Sequence, residues 1–124
     1  KPGDVIRIGR TDIYVELESP PPVDPHIWKV TVLSGPQDGL GFEISVGTTK
    51  IGRGVDNDIL LSSRSVSRVH ADLILGRNGL EIEDKGSTNG TFVNSYRVSS
   101  AFLNNGDVIE IGDTKIQVTT DWSK

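Results

Sequence analysis

From Val30 onward, apolar residues recur at every second position in short runs. The pairs Val30/Val32, Phe42/Ile44, Leu80/Ile82, Ile109/Ile111 and Ile116/Val118 each enclose one polar residue, and Leu73/Leu75 enclose Ile74. A period of two over a few residues is the mark of a half-buried strand. No helical period persists beyond a turn or two. The pattern predicts strands near Lys29–Leu33, Gly41–Ile44, Thr49–Arg53, Ile59–Leu61, Ala71–Leu75, Leu80–Asp84, Thr91–Val93, Arg97–Val98, Val108–Ile111 and Lys115–Thr119. Asn78-Gly79, Asn89-Gly90 and Asn105-Gly106 fall between these runs, and Asn-Gly favours the positive backbone angles of tight turns. Many short strands at close spacing give an all-β sandwich or barrel.

Composition adds boundaries. Glu18 to His26 holds Pro20, Pro21, Pro22 and Pro25, which cannot join a sheet and favour a stiff extended spacer. The chain therefore divides into a leader at 1–17, a Pro-rich linker at 18–27 and a main domain at 28–120. The leader repeats the end of the main domain: Gly3–Val15 and Gly106–Val118 are identical at nine of thirteen positions. Two readings stay open. The leader is the closing hairpin of a preceding copy of the same domain, or two hairpins share turn chemistry. A lone hairpin is marginal in water, so an ordered leader must lean on something, and self-association by exchange with its look-alike is one outcome.

At 124 residues the chain suits one domain with a modest core. It opens on Lys1, which reads as a piece cut from a longer protein. Its longest unbroken apolar stretch, Ile59-Leu60-Leu61, is far too short for a membrane-spanning helix, so no membrane contact is expected. There is no cysteine, which excludes disulfides and thiolate metal sites and fits an intracellular setting, cytoplasm or nucleus. Lys and Arg number 13 against 17 Asp and Glu, a net charge of -4, and aromatics make up 6%. A nucleic-acid partner calls for the opposite balance.

Three polar loops stand between the predicted strands: Gly54–Asp58, Ser62–Val69 and Lys85–Gly90. Catalysis finds little in them. His26 and His70 are the only histidines. Gly52-x-Gly54 lacks the Lys and Ser/Thr of a nucleotide loop, and Gly86-Ser87-Thr88-Asn89-Gly90 lacks the central serine of a nucleophile elbow. Asp56-Asn57-Asp58 does not keep calcium-loop spacing. Neither an enzyme nor a cofactor is expected. Taken singly, Arg53 reads as a surface cation, Ser67 with His70 as a local turn, and Asp84 as a brace. Asn89-Gly90-Thr91 is a formal glycosylation sequon, but its Asn-Gly reads as a turn.

Taken in order, Gly52-Arg53, then Ser67-Arg68-Val69-His70, then Asn89-Gly90 follow the pattern Gly-Arg, Ser-x-x-His, Asn-Gly. In this the chain resembles the forkhead-associated (FHA) domain family from about Trp28 to Val118, with Asn57-Asp58-Ile59 and Gly106-Asp107 extending the match. The resemblance implies a sandwich of two twisted sheets, about eleven strands, whose loops at one end bind phosphothreonine. It implies that Arg53 and Ser67 hold the phosphate and that Arg68 adds a contact. Thr88 would complete the cradle with its hydroxyl, and Asn89 would grip the peptide backbone. Gly52, His70 and Gly90 would keep the loops in shape. Ser65 falls where the family often selects the residue third after the phosphothreonine, and a neutral Ser there implies no strong acidic preference. Arg64 is either a solvated cation or an aid to attraction. The expected function is phosphothreonine-dependent protein–protein interaction. The alternative is a phosphate-independent scaffold or self-association module of the same fold.

Overall fold

In the computed structural model of the protein, residues 27–121 are described, and they form eleven strands and no helix. In chain order these are β1 (Trp28–Val32), β2 (Gly41–Ile44), β3 (Gly47–Gly52), β4 (Ile59–Leu60), β5 (Ala71–Gly76) and β6 (Gly79–Asp84). Then come β7 (Thr91–Val93), β8 (Tyr96–Val98), β9 (Ser100–Leu103), β10 (Val108–Ile111) and β11 (Thr114–Thr120). One sheet has five strands in the order β9-β6-β5-β3-β4, and the other has six, β2-β1-β11-β10-β7-β8. All pairs are antiparallel except β3 with β4. The leader at 1–17 and the linker up to residue 26 lie outside the described residues.

The alternation seen in the sequence becomes the two inner faces. Trp28, Val30 and Val32 of β1 and Ile116 and Val118 of β11 are buried from one sheet. Ala71, Leu73 and Leu75 of β5 and Leu80 and Ile82 of β6 are buried from the other. Each large aliphatic side chain so buried stabilises the fold by roughly 1.5–3 kcal/mol, which sustains strands this short.

All ten predicted strand regions hold a strand, most shifted by a residue or two. The eleventh, β9, was not predicted. Its sequence Ser-Ala-Phe-Leu buries only Leu103 while Phe102 is exposed, so no alternation announces it. It is an edge strand held by pairing with β6, from Ser100↔Glu83 to Leu103↔Leu80. Turn chemistry also departed from expectation. Gly79, Gly90 and Gly106 do take positive φ. The two-residue turn between β7 and β8, however, uses Asn94 (φ 50°) and Ser95 (φ 75°), two positive angles in succession on residues that carry side chains. Asn tolerates this region and Ser is a poorer choice.

Three loops gather at one end of the sandwich. The loops 53–58, 61–70 and 85–90 leave the five-stranded sheet or join the two sheets at one end, and the β10–β11 turn reaches them through Asp113 N–H to Ser65 Oγ at 3.0 Å. Strands β1 and β11 run from there to the far end, where Ile27 N–H donates to Asp121 Oδ1 at 2.9 Å. Residue 27 therefore enters the domain at the end opposite the apical loops.

Candidate functional site

The central apical loop, 61–70, is pinned from within. Val66 is buried in the core, and the backbone on either side of it is held by the neighbouring loop. Arg53 N–H donates to Ser67 O at 2.9 Å, Gly54 N–H to Arg68 O at 3.2 Å, and Arg53 Nε to Val66 O at 3.0 Å. Asn57 Nδ2 donates to both Gly54 O and Arg68 O, at 2.8 and 2.7 Å. So close an approach explains Gly52. A Cβ there would be driven into the Arg68 carbonyl and lie 2.8 Å from Asn57 Nδ2. Its φ is not positive, so lack of volume rather than backbone freedom is what the position uses.

His70 joins the central loop to the third. Its ring is fully buried; Nδ1 accepts from Ser67 N–H at 3.0 Å, and Nε2 lies 2.9 Å from Gly90 O. An acceptor at Nδ1 and a carbonyl at Nε2 fix the tautomer with the proton on Nε2. Its own backbone is engaged too, His70 N–H with Ile51 O and His70 O with Lys85 N–H.

Asp84 organises the third loop from its base. Its carboxylate accepts from Gly86 N–H, Ser87 N–H, Ser87 Oγ and Thr91 Oγ1. Ser87 Oγ in turn accepts from Gly90 N–H at 3.0 Å. Desolvation by burial pushes the Asp84 carboxyl up, but these hydrogen bonds outweigh it and leave the group below its ordinary value of 3.8. The folded value being the lower one, the stabilisation is complete above the unfolded value and is lost as pH falls through the folded value. Urea midpoints should therefore stay level from about pH 7 to about pH 5 and decline below about pH 4. An Asp84→Asn variant should be less stable at neutral pH and show a shallower acid decline. An equally steep decline would assign the acid sensitivity elsewhere, with Asp113 next in line.

Asp113 is held below the usual carboxylate range by a hydrogen bond from Ser63 foremost, which with help from Ser65 and Thr114 outweighs the desolvation that raises it. Ser65 is thus occupied. Its Oγ receives Asp113 N–H and lies 2.9 Å from Ser63 Oγ, while its carbonyl accepts from Asn89 Nδ2 at 2.8 Å.

What is left unoccupied is informative. Ser67 Oγ accepts from Thr88 N–H at 3.0 Å, which leaves its own proton to donate outward. Arg53 spends only Nε within the protein, so both terminal nitrogens of an exposed guanidinium are free among the described residues. The side chains of Arg64, Arg68 and Thr88 are exposed and make no hydrogen bond or ion pair among the described residues. Among the described residues Asn89 makes no hydrogen bond through its side-chain oxygen. Arg53, Ser67 and Thr88 are thereby brought together by direct bonds between their segments, and Asn89 adjoins them. Such a set of forked cation, hydroxyls and amide can receive an anion rich in acceptor oxygens. On the other flank of Arg68 a cleft of about 480 Å³ opens between Lys50, Asp72 and Lys85. Among the described residues no cluster of His, Cys, Asp and Glu could hold a metal ion, and no helix is long and apolar enough to cross a membrane.

A two-sheet sandwich with a polar, cationic cradle across three loops at one end defines a small binding domain. The chain belongs to the FHA domain family, whose model matches residues 49–112. It is similar to the glycogen accumulation regulator GarA of Mycobacterium tuberculosis, 41% identical over 91 residues that are 73% of this chain and 56% of that protein. An ABC transporter ATP-binding/permease protein of the same organism is 48% identical over 74 residues, 60% of this chain and 9% of its own length. The chain thus spans about half of one curated relative and under a tenth of the other. A solved structure from work on phosphothreonine-dependent FHA domain interactions superposes with a TM-score of 0.70 at 32% identity, covering 75% of this chain and 95% of that one.

Sequence reasoning missed two contributors. Val66, which anchors the central loop, looked like one more residue of a polar stretch. Arg97, whose guanidinium lies against Gly90, sat in a short strand with no motif around it. The register of the β7–β8 hairpin, Phe92↔Arg97, was the signal that could have found it.

Proposed function

We propose that the apical loops bind a phosphothreonine-bearing segment of a partner protein and that the domain acts by this interaction, not by catalysis. The observation that carries the reading is Arg53: backbone and Nε are both tied to the loop that holds Ser67, while the rest of the guanidinium meets no partner among the described residues. A phosphate brings about -1.5 to -2 charge and three strong acceptor oxygens. Arg53 and Ser67 take the phosphate in this reading, Arg68 and the Thr88 hydroxyl add to it, and Asn89 holds the neighbouring peptide backbone. Gly52, His70 and Gly90 keep that geometry. The similarity to a domain studied for phosphothreonine-dependent interactions supports threonine as the carrier.

The same reading takes residues 28–120 as the binding domain and 1–17 as the end of a preceding copy, supported by the nine identities in thirteen. A ligand made by kinases and a chain without cysteine support an intracellular setting.

Fluorescence anisotropy with degenerate phosphothreonine, phosphoserine and unphosphorylated peptide pools tests the proposal. Saturable binding to the phosphothreonine pool near micromolar is expected, corresponding to about -8 kcal/mol. The phosphoserine pool should bind roughly tenfold weaker, the worth of a shaped niche for one methyl, and the unphosphorylated pool not at all. A folded protein that binds no pool, or all three alike, would shift the function to a phosphate-independent contact through a sheet face.

A further inference from the structure

Arg97 stands on β8 opposite Phe92, and the cross-strand row continues through Glu110 to Lys115. Glu110, the carboxylate of that row, is already paired with Lys115 at 3.8 Å. Arg97 is exposed and makes no hydrogen bond or ion pair among the described residues. Its guanidinium instead folds back toward the loops. Nε, Cζ and Nη2 lie 2.8, 3.0 and 3.3 Å from where a Cβ on Gly90 would sit. The arginine occupies that place only because residue 90 has no side chain.

The platform beneath it is rigid. Gly90 N–H is held by Ser87 Oγ and Gly90 O by His70 Nε2, with φ at 90°. Asn89 is its immediate neighbour and is fixed to Ser65 O. The cradle thus runs Arg53, Ser67, Thr88, Asn89, and Arg97 stands at the Asn89 end. The distribution of charge points the same way. Of the five arginines among the described residues, Arg53, Arg64, Arg68 and Arg97 are at the apical end of an acidic chain, and only Arg77 is at the opposite hairpin. Ser65, meanwhile, has its hydroxyl engaged within the protein and offers no charge.

We infer that Arg97 forms a second anion subsite, which takes a carboxylate or a further phosphate on the ligand segment at the Asn89 side of the phosphothreonine. This rests on the phosphothreonine reading above and adds a requirement for charge that the Ser65 position does not supply. A guanidinium is suited to it, because its planar fork meets either oxyanion with two bonds.

The test is a positional scan on the full chain. A phosphothreonine peptide carries Asp, phosphoserine or Ala at each of the positions flanking the phosphothreonine, and the readout is the Ala-to-anion ratio of Kd. Wild type should show a ratio of roughly fivefold at one position, the scale of an exposed but well-oriented ion pair. Arg97→Gln should bring that ratio to about one, and Arg97→Glu should invert it, while Arg77→Ala at the far end leaves it unchanged. A preference for both Asp and phosphoserine assigns general anion recognition; a preference for phosphoserine alone assigns a second phosphate. A wild-type ratio near one at every position overturns the subsite, as does a ratio that survives Arg97→Gln, with phosphothreonine binding itself intact. Loss of binding to every phosphothreonine peptide in wild type would instead remove the underlying reading.

Discussion

A His70→Ala variant is expected to lose about 3–5 kcal/mol of folding stability, the sum of two orphaned polar groups and an unfilled cavity. The ring is fully buried, and it is both the acceptor for Ser67 N–H and the partner of Gly90 O. Truncation leaves those two groups facing an empty space, at about 1–3 kcal/mol each. In a domain of this size the change corresponds to a drop in Tm on the order of 20 °C. His70→Gln, which offers a donor and an acceptor on one side chain, should recover part of the loss. Urea melts of the three proteins make the comparison. A deficit under about 1 kcal/mol for the alanine variant would mean that water replaces the ring, and the role given to His70 would then fail.

The consequence for binding is separate and can be read at low temperature, where both proteins stay folded. Ser67 N–H and Gly90 O belong to the two loops that meet at the cradle, so loosening their common brace should weaken phosphopeptide binding even without contact between His70 and ligand. That is the meaning of a loop-shaping residue: its effect on Kd arrives through the positions of Ser67 and Thr88.

How far the sequence carried varies with the range of the interaction involved. Strands whose burial alternates, such as β5 and β6, were legible because burial on one face imposes a period of two. β9 was not, since Phe102 points outward and the strand exists by pairing with β6, a partner some 17–23 residues away. The motif residues Arg53, Ser67 and Asn89 were legible through their order along the chain. Their geometry was not, because it depends on bonds between loops, such as Arg53 Nε to Val66 O and Thr88 N–H to Ser67 Oγ. Ser65 shows the difference most clearly. By position it was a candidate to read the peptide, yet Asp113, from a turn 48 residues on, holds its hydroxyl. Arg97 shows the converse, a residue without a motif that hairpin register carries to the rim.

Arg53→Ala is expected to weaken phosphothreonine-peptide binding about 100-fold or more while costing little stability. Among the described residues the side chain makes one hydrogen bond, Nε to the Val66 carbonyl, worth about 1 kcal/mol net. Toward a phosphate it offers the remaining fork, and truncating one member of a hydrogen-bonded charge pair costs about 2–5 kcal/mol. The two effects therefore separate: a small shift in the urea midpoint and a large one in Kd. Arg53→Lys sharpens the point. It keeps the charge but cannot both bond Val66 O and present two parallel donors, so it should recover only part of the affinity. If charge alone mattered, lysine would bind as arginine does, and raising the salt would erase the difference between wild type and alanine. If Arg53→Ala bound the phosphothreonine pool within about threefold of wild type, the phosphate would have to rest on Ser67, Thr88 and Arg68 without it. The site as drawn would then be wrong at its centre.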